Sequence, residues 1–156
     1  MENVLEQRMY NITSFYCQGL CSGIQSYHAG MEYAVKYWGT PEFQQWVTKD
    51  KTVIILAGGD SHVNGGSMEM MRDKLIENGI KIGVFHEPGM NDALTSISFL
   101  VDETVWDKIT YPDTNRIYQD NTPEAIDVLR MFDMVLKYGV KTVFLRDFLK
   151  GYQLAK

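Results

Sequence analysis

The stretch CSGIQSYHAG, residues 21–30, brings a thiol, a side-chain amide and an imidazole close together as Cys21, Gln25 and His28. A thiol beside an imidazole is the pairing of a nucleophile with its base. An imidazole beside a carboxylate is the pairing for general acid–base work. The chain offers that carboxylate as Glu87 in HEPGMNDAL, residues 86–94. Helical geometry limits the first pairing. Seven residues of helix rise ~10 Å, so Cys21 and His28 do not form a direct dyad unless the chain bends at Gly23, and His62 or His86 become alternative bases. Cys17, Cys21 and His28 are also zinc-ligand types, but their spacing fits no short zinc motif.

These residues must be positioned by regular elements. MYNITSFYC (9–17) is rich in β-formers and predicts a first strand. From Ser22 onward Ile24, Tyr27, His28, Met31, Ala34, Val35 and Trp38 recur at helical spacing, with Gly39 expected as a left-handed stop. Thr40-Pro41-Glu42 is a cap-plus-proline helix start with Phe43, Trp46 and Val47 on its apolar side. TVIILA (52–57) is a continuous apolar run and predicts a strand buried on both faces. GGDSHVNGG (58–66) is a loop, followed by a helix from Ser67 closed at Gly79. Strands are expected at 81–85 and 95–101, with a loop over 86–94 between them. This β-α-α-β-α-β-β order implies an α/β sandwich with a mixed sheet. Beyond about Asp102 the chain turns irregular; a helix opens at Thr122-Pro123-Glu124 with Ile126, Leu129, Phe132, Val135 and Leu136 on one face, Gly139 ends it, and a final helix follows.

Composition bounds the partners. At 156 residues the chain holds one well-cored domain. A net charge of −5, with basic residues scattered and best grouped at Lys137, Lys141, Arg146, Lys150 and Lys156, argues against broad nucleic-acid binding. No apolar run reaches the ~20 residues of a membrane helix, and the early acids in MENVLEQRMYN do not make a signal peptide. Two cysteines suit a cytoplasmic chain better than a disulfide framework.

The strand, the loop, SGIQSYHAG opening a helix, the short Trp-containing helix, the apolar strand and then NGIKIGVFHEPGMNDALTSISFLV together resemble the archaeal and eukaryotic (second) type of peptidyl-tRNA hydrolase. Gln25, His28 and Ala29 match the family's Gly-Lys-x-x-x-Gln-x-x-His-Ala motif, and Glu87-Pro88-Gly89 stands where Asp-Ala-Gly opens its second motif. Cys21 occupies the lysine position, Glu87 the aspartate position and Asn91 the threonine position. The resemblance spans residues 9–103 and leaves 104–156 as a C-terminal helical extension, packed on the same domain or on a partner. It implies a three-layer α/β/α sandwich around a four-stranded mixed sheet. It also implies hydrolysis of the ester between peptide and tRNA or a related ester, with no cofactor. Glu87, His28, Asn91 and Gln25 would be the catalytic set; Cys21, Ser22, Gly89, Thr95 and Ser96 would be the substrate-binding set.

Other readings stay open beside this one. His28 on an apolar stripe is also expected as a half-buried histidine bonded to backbone or to Glu87. Cys21 is also an inert small thiol. The glycine-rich loop lacks the Gly-Lys-Ser/Thr ending of a phosphate loop and reads as surface, though its place after a strand suits the border of a ligand cleft. Tyr27, Tyr33, Tyr37 and Trp38 are explained by helix packing before base stacking. The alternative to an enzyme is a catalytically inactive binding or regulatory protein on the same fold, acting through protein partners or a small ligand. The expected partners are tRNA or a small-molecule ligand and a second copy in a homodimer, with no membrane. A small-nucleotide binder is the third class.

Overall fold

The computed structural model describes residues 3–59, 67–119 and 121–155. Its element order is β1 (Gln7–Thr13), α1 (Leu20–Tyr37), α2 (Pro41–Gln45), β2 (Val53–Ala57), α3 (Ser67–Glu77), β3 (Gly83–Glu87), β4 (Ala93–Asp102), α4 (Glu103–Trp106), α5 (Pro123–Tyr138) and α6 (Val140–Leu149). The four strands form one mixed sheet in the order β2-β1-β4-β3. β1 runs parallel to β2 with Met9 opposite Val53, and antiparallel to β4 with Tyr10 opposite Phe99. β3 is antiparallel to β4, with Val84 opposite Ile97. The result is an α/β/α sandwich followed by a helical part. Two compact units divide the chain: Met1–Asp102 with Tyr152–Lys156, and Glu103–Gly151.

Strand alternation sends the two sheet faces to different layers. Tyr10, Ile12, Ile97, Phe99 and Val101 make the apolar face, and all are buried. Met68, Met71 and Leu75 of α3 are the buried residues that cover it, with Met68 close to Ile12 beneath Gly58. Each such side chain removed from water is worth about 1.5–3 kcal/mol.

The opposite face is polar at its centre. Met9 packs with Tyr33, Ala34 and Phe43, and Leu100 joins that cluster. Beyond Met9, however, the face carries Asn11 and Thr13 from β1 and Ser96 and Ser98 from β4, all buried. Ser98 donates to Asn11 Oδ1, and Asn11 Nδ2 donates to the Ile54 carbonyl at 3.4 Å. α1 meets this surface with Ser22, Gln25, Ser26, Ala29, Tyr33 and Ala34. Of the helical stripe expected from Ile24, Tyr27, His28, Met31, Ala34, Val35 and Trp38, only Ala34 is buried and the rest lies outward: Val35 is 80% exposed and Tyr27 65%. The small and polar stripe faces inward because it matches a polar sheet. It also allows close approach, for a Cβ at Gly83 of β3 would strike the Ala29 carbonyl and come within 2.8 Å of Tyr33 Cα.

Other expectations change at element ends. β1 stops at Thr13 rather than Cys17, since Ser14 N turns to the Thr95 carbonyl (2.8 Å), Phe15 N to Gly59 (2.9 Å) and Cys17 N back to Ser14 (2.9 Å). Gly39 has no positive φ; the Tyr37 carbonyl is taken by Thr40 through both its amide (3.0 Å) and its hydroxyl (2.9 Å). Thr40 then caps α2 through Phe43 N as its sequence indicates, and the helix widens to a π turn over Trp46–Asp50, closed by Lys51 N on Trp46 O at 2.8 Å. β2 is an edge strand with only Leu56 buried, and its outer side is met by the chain end: Ala57 N donates to Gln153 O (2.8 Å) and Ala155 N to Ile55 O (2.9 Å). Gly79, at φ 73, closes α3 as expected. β4 is longer than 95–101, and the loop before it holds a 3-10 turn at Pro88–Met90. Most of the 58–66 loop, including His62, lies outside the described residues.

In the second unit Thr122 caps α5 through Ala125 N at 3.2 Å and Gly139, at φ 91, ends it. Only Met134 of α5 is buried, while Phe132 and Leu136 of the expected apolar face are exposed. Arg146 of α6 organises this unit: it is buried and donates to the carbonyls of Thr104 (2.9 and 2.6 Å) and Tyr111 (2.6 Å) and to Asp113 Oδ1 (3.0 Å).

Candidate functional site

The site forms where the inner stripe of α1 meets the end of β3 and the start of β4. Gln25 lies on the buried face of α1 and donates through Nε2 to Glu87 Oε2 at 2.9 Å. Its other end, Oε1, accepts the hydroxyl of Thr95. Thr95 reaches it because of an irregularity in the sheet. Phe85 pairs with Ser96 and His86 with Leu94, so Thr95 is an extra residue on β4. A bulge of this kind re-aims a side chain, here toward α1. The two bonds fix the amide of Gln25, nitrogen to carboxylate and oxygen to hydroxyl.

Glu87 is held a second time. Its Oε1 accepts from Gly89 N at 3.1 Å, so the carboxylate caps the 3-10 turn that follows it. The hydrogen bond from Gln25 lowers its pKa most, the Gly89 amide lowers it further, partial burial opposes them, and the positive charge of His28 adds a smaller lowering. Glu87 is thus an ionised acceptor at neutral pH and a weak proton base. His28 is exposed, correcting the half-buried reading. Its ring stacks on Phe85 with centroids 4.4 Å apart and planes inclined by 16°. Asn91 ends the 3-10 turn in the left-handed region at φ 54, which asparagine tolerates, and its side chain is exposed.

The other expected site residues divide. Gly89 supplies its amide to Glu87, and Thr95 its hydroxyl to Gln25. Ser22 spends its hydroxyl on the Gly19 carbonyl at 2.7 Å, inside the first turn of α1. Ser96 is fully buried, and its hydroxyl, like that of Ser26, meets no partner among the described residues. Cys21 lies half-buried in the first turn of α1 as a free thiol. Phe85 is the contributor that sequence reasoning missed. Phe85 precedes His86-Glu87 directly, so alternation along β3 could have placed its ring beside His28.

No group of three or more His, Cys, Asp and Glu among the described residues could hold a metal ion. No described helix is long and apolar enough to cross a membrane. The chain matches no protein-family model and no curated protein.

Proposed function

We propose that the chain is a divergent relative of the second type of peptidyl-tRNA hydrolase, cleaving the ester between peptide and tRNA or a related ester. The observation that carries this reading is the 2.9 Å bond between Gln25 and Glu87, which joins the two sequence motifs behind the resemblance. In this reading water attacks the ester carbonyl and His28 takes its proton, a role suited to imidazole at neutral pH. Ionised Glu87 favours the imidazolium that results, and Gln25 holds Glu87 in place. Asn91 offers an amide donor to the oxyanion. Cleavage leaves a carboxylic acid on the peptide and a hydroxyl on the tRNA. The setting is cytoplasmic, with tRNA or a small ester as ligand and a homodimer as the assembly.

The test is release of free tRNA from a peptidyl-tRNA by the purified chain, at several pH values and low salt. Turnover above a heat-killed control, lost in His28→Ala, supports the reading; no turnover sinks it. One feature favours a second reading, that of a binding protein without catalysis. Cys21 replaces the lysine of the resemblance, and a thiol cannot supply an ammonium to a phosphate. In that case a protein partner or a small ligand binds without turnover, and Cys21→Lys gains little.

A further inference from the structure

The outward face of α1 is a line of large apolar side chains. Leu20, Ile24, Tyr27, Met31, Val35 and Trp38 are all exposed, and Trp38 keeps helical geometry as the residue that follows α1. At 3.6 residues per turn these six fall within about a quarter-turn of the axis, along ~27 Å of helix. The opposite face, from Ser22 to Ala34, is the buried one. Leu20 is 81% exposed, Trp38 60% and Met31 47%. Together the six present roughly 700 Å² to water, more than the ~300–600 Å² of the largest apolar patch on a typical monomer.

We propose that this stripe is the interface with a second copy of the chain, whose α1 lies antiparallel across a two-fold axis at Met31. The spacing is symmetric, with Ile24, Tyr27, Met31, Val35 and Trp38 at −7, −4, 0, +4 and +7 about Met31. A two-fold contact sets each residue against the one equally far on the other side of the axis. Trp38 then meets Ile24, Tyr27 meets Val35 and Met31 meets itself, so each large ring lies against a smaller aliphatic side chain. A parallel pair would instead set Trp38 on Trp38 and align the two helix dipoles.

The area also suits a second copy, since each partner in a standard interface buries about 800 Å². A lipid surface is the poorer match. Helices that lie on membranes carry Lys and Arg on the face opposite their apolar one. In α1 that face is packed on the sheet, and Lys36 is the helix's one Lys or Arg. The proposal rests on the homodimer of the proposed reading and names its surface, but it uses no step of ester hydrolysis. The Tyr27 and His28 rings are 5.9 Å apart, so the second copy would border the candidate site.

Sedimentation of the full chain across a concentration series tests this. The native chain should have twice the mass of one copy. Met31→Glu and Met31→Lys should each raise the dimer dissociation constant about a hundredfold or more, because like charges then face each other across the axis. An equimolar mixture of the two should return to a dimer, and circular dichroism checks that both stay folded. Met31→Cys under mild oxidation should join two copies through position 31, located by peptide mapping, whereas Lys36→Cys should not join them. A dimer that none of these variants changes, or a mixture that stays monomeric, would overturn this surface and leave the homodimer standing. A native chain that is monomeric throughout would overturn both, and one that is monomeric yet sediments with phosphatidylcholine vesicles would give the stripe to lipid instead. Ester hydrolysis is read separately, by tRNA release.

Discussion

Gln25 and Glu87 are 62 residues apart in sequence and 2.9 Å apart in space, and the amide between them carries the bond onward to Thr95. The three side chains tie α1 to the end of β3 and the bulge of β4. Gln25→Ala removes the closer acceptor of the buried Thr95 hydroxyl and leaves it the Phe85 carbonyl at 3.4 Å, so it should cost about 1 kcal/mol. Thr95→Val removes the donor. If the pair acts as a unit, the double variant should lose less than the sum, by about 0.5–3 kcal/mol. Urea unfolding of the four proteins measures this, and strict additivity would show the bond to be unimportant.

Glu87 makes stability depend on pH. Its pKa lies below the ordinary value of 4.5 because Gln25 and then Gly89 donate to the charged form. A depressed carboxylate contributes stability that is present above its unfolded pKa and lost as pH falls through the folded one. Glu87→Gln should therefore be less stable than the native chain at neutral pH, and the gap should narrow as pH drops below 4.5. Unfolding midpoints across that range decide it; a gap that stays constant into acid would mean the carboxylate charge is not what Gln25 and Gly89 hold.

Two glycines should respond in opposite directions. Gly83→Ala drives a Cβ into the Ala29 carbonyl and Tyr33 backbone. Backbone on both sides leaves nothing to give way, so the cost should reach about 3 kcal/mol. Gly23 sits inside α1 with nothing within 4 Å of the added carbon. Gly23→Ala should stabilise by about 0.5–1 kcal/mol. Thermal melts of both variants check the contrast.

Arg146→Met should loosen the Glu103–Gly151 unit by about 1–3 kcal/mol for each carbonyl that loses its donor. It strips donors from the Thr104 and Tyr111 carbonyls together. Asp113→Asn should cost under about 1 kcal/mol, because Asp113 is 67% exposed. Hydrogen exchange in α5 and α6 is the measurement, and equal effects of the two variants would contradict the arrangement.

Local signals in the sequence match the helix ends, except Gly39, which has no positive φ. Thr40-Pro41, Thr122-Pro123, Gly79 and Gly139 bound their helices as their chemistry requires, since a cap is settled within one turn. Strand order and burial were less legible. The apolar run of β2 read as buried on both faces, yet it lies at an edge of the sheet with only Leu56 buried. The helix carrying Gln25 and His28 was placed correctly but rotated: an apolar periodicity cannot reveal that the buried stripe is Ser22, Gln25, Ser26 and Ala29 against a polar sheet. Thr95 and Glu87 were named as site residues, but the bulge that joins them to Gln25 depends on pairing between β3 and β4.

The chain end that bonds to β2 has a practical meaning. Backbone groups of Ile55 and Ala57 face Gln153 and Ala155, not solvent. Cutting the protein before its last helices to isolate the first unit would also remove this short segment, which belongs to that unit. The bared strand would offer open donors and acceptors to any extended peptide, including a neighbouring molecule's own edge. A tidy truncation would thus trade a folded fragment for a self-adhesive one, and a fragment that keeps residues 152–155 through a relinked terminus should stay dispersed.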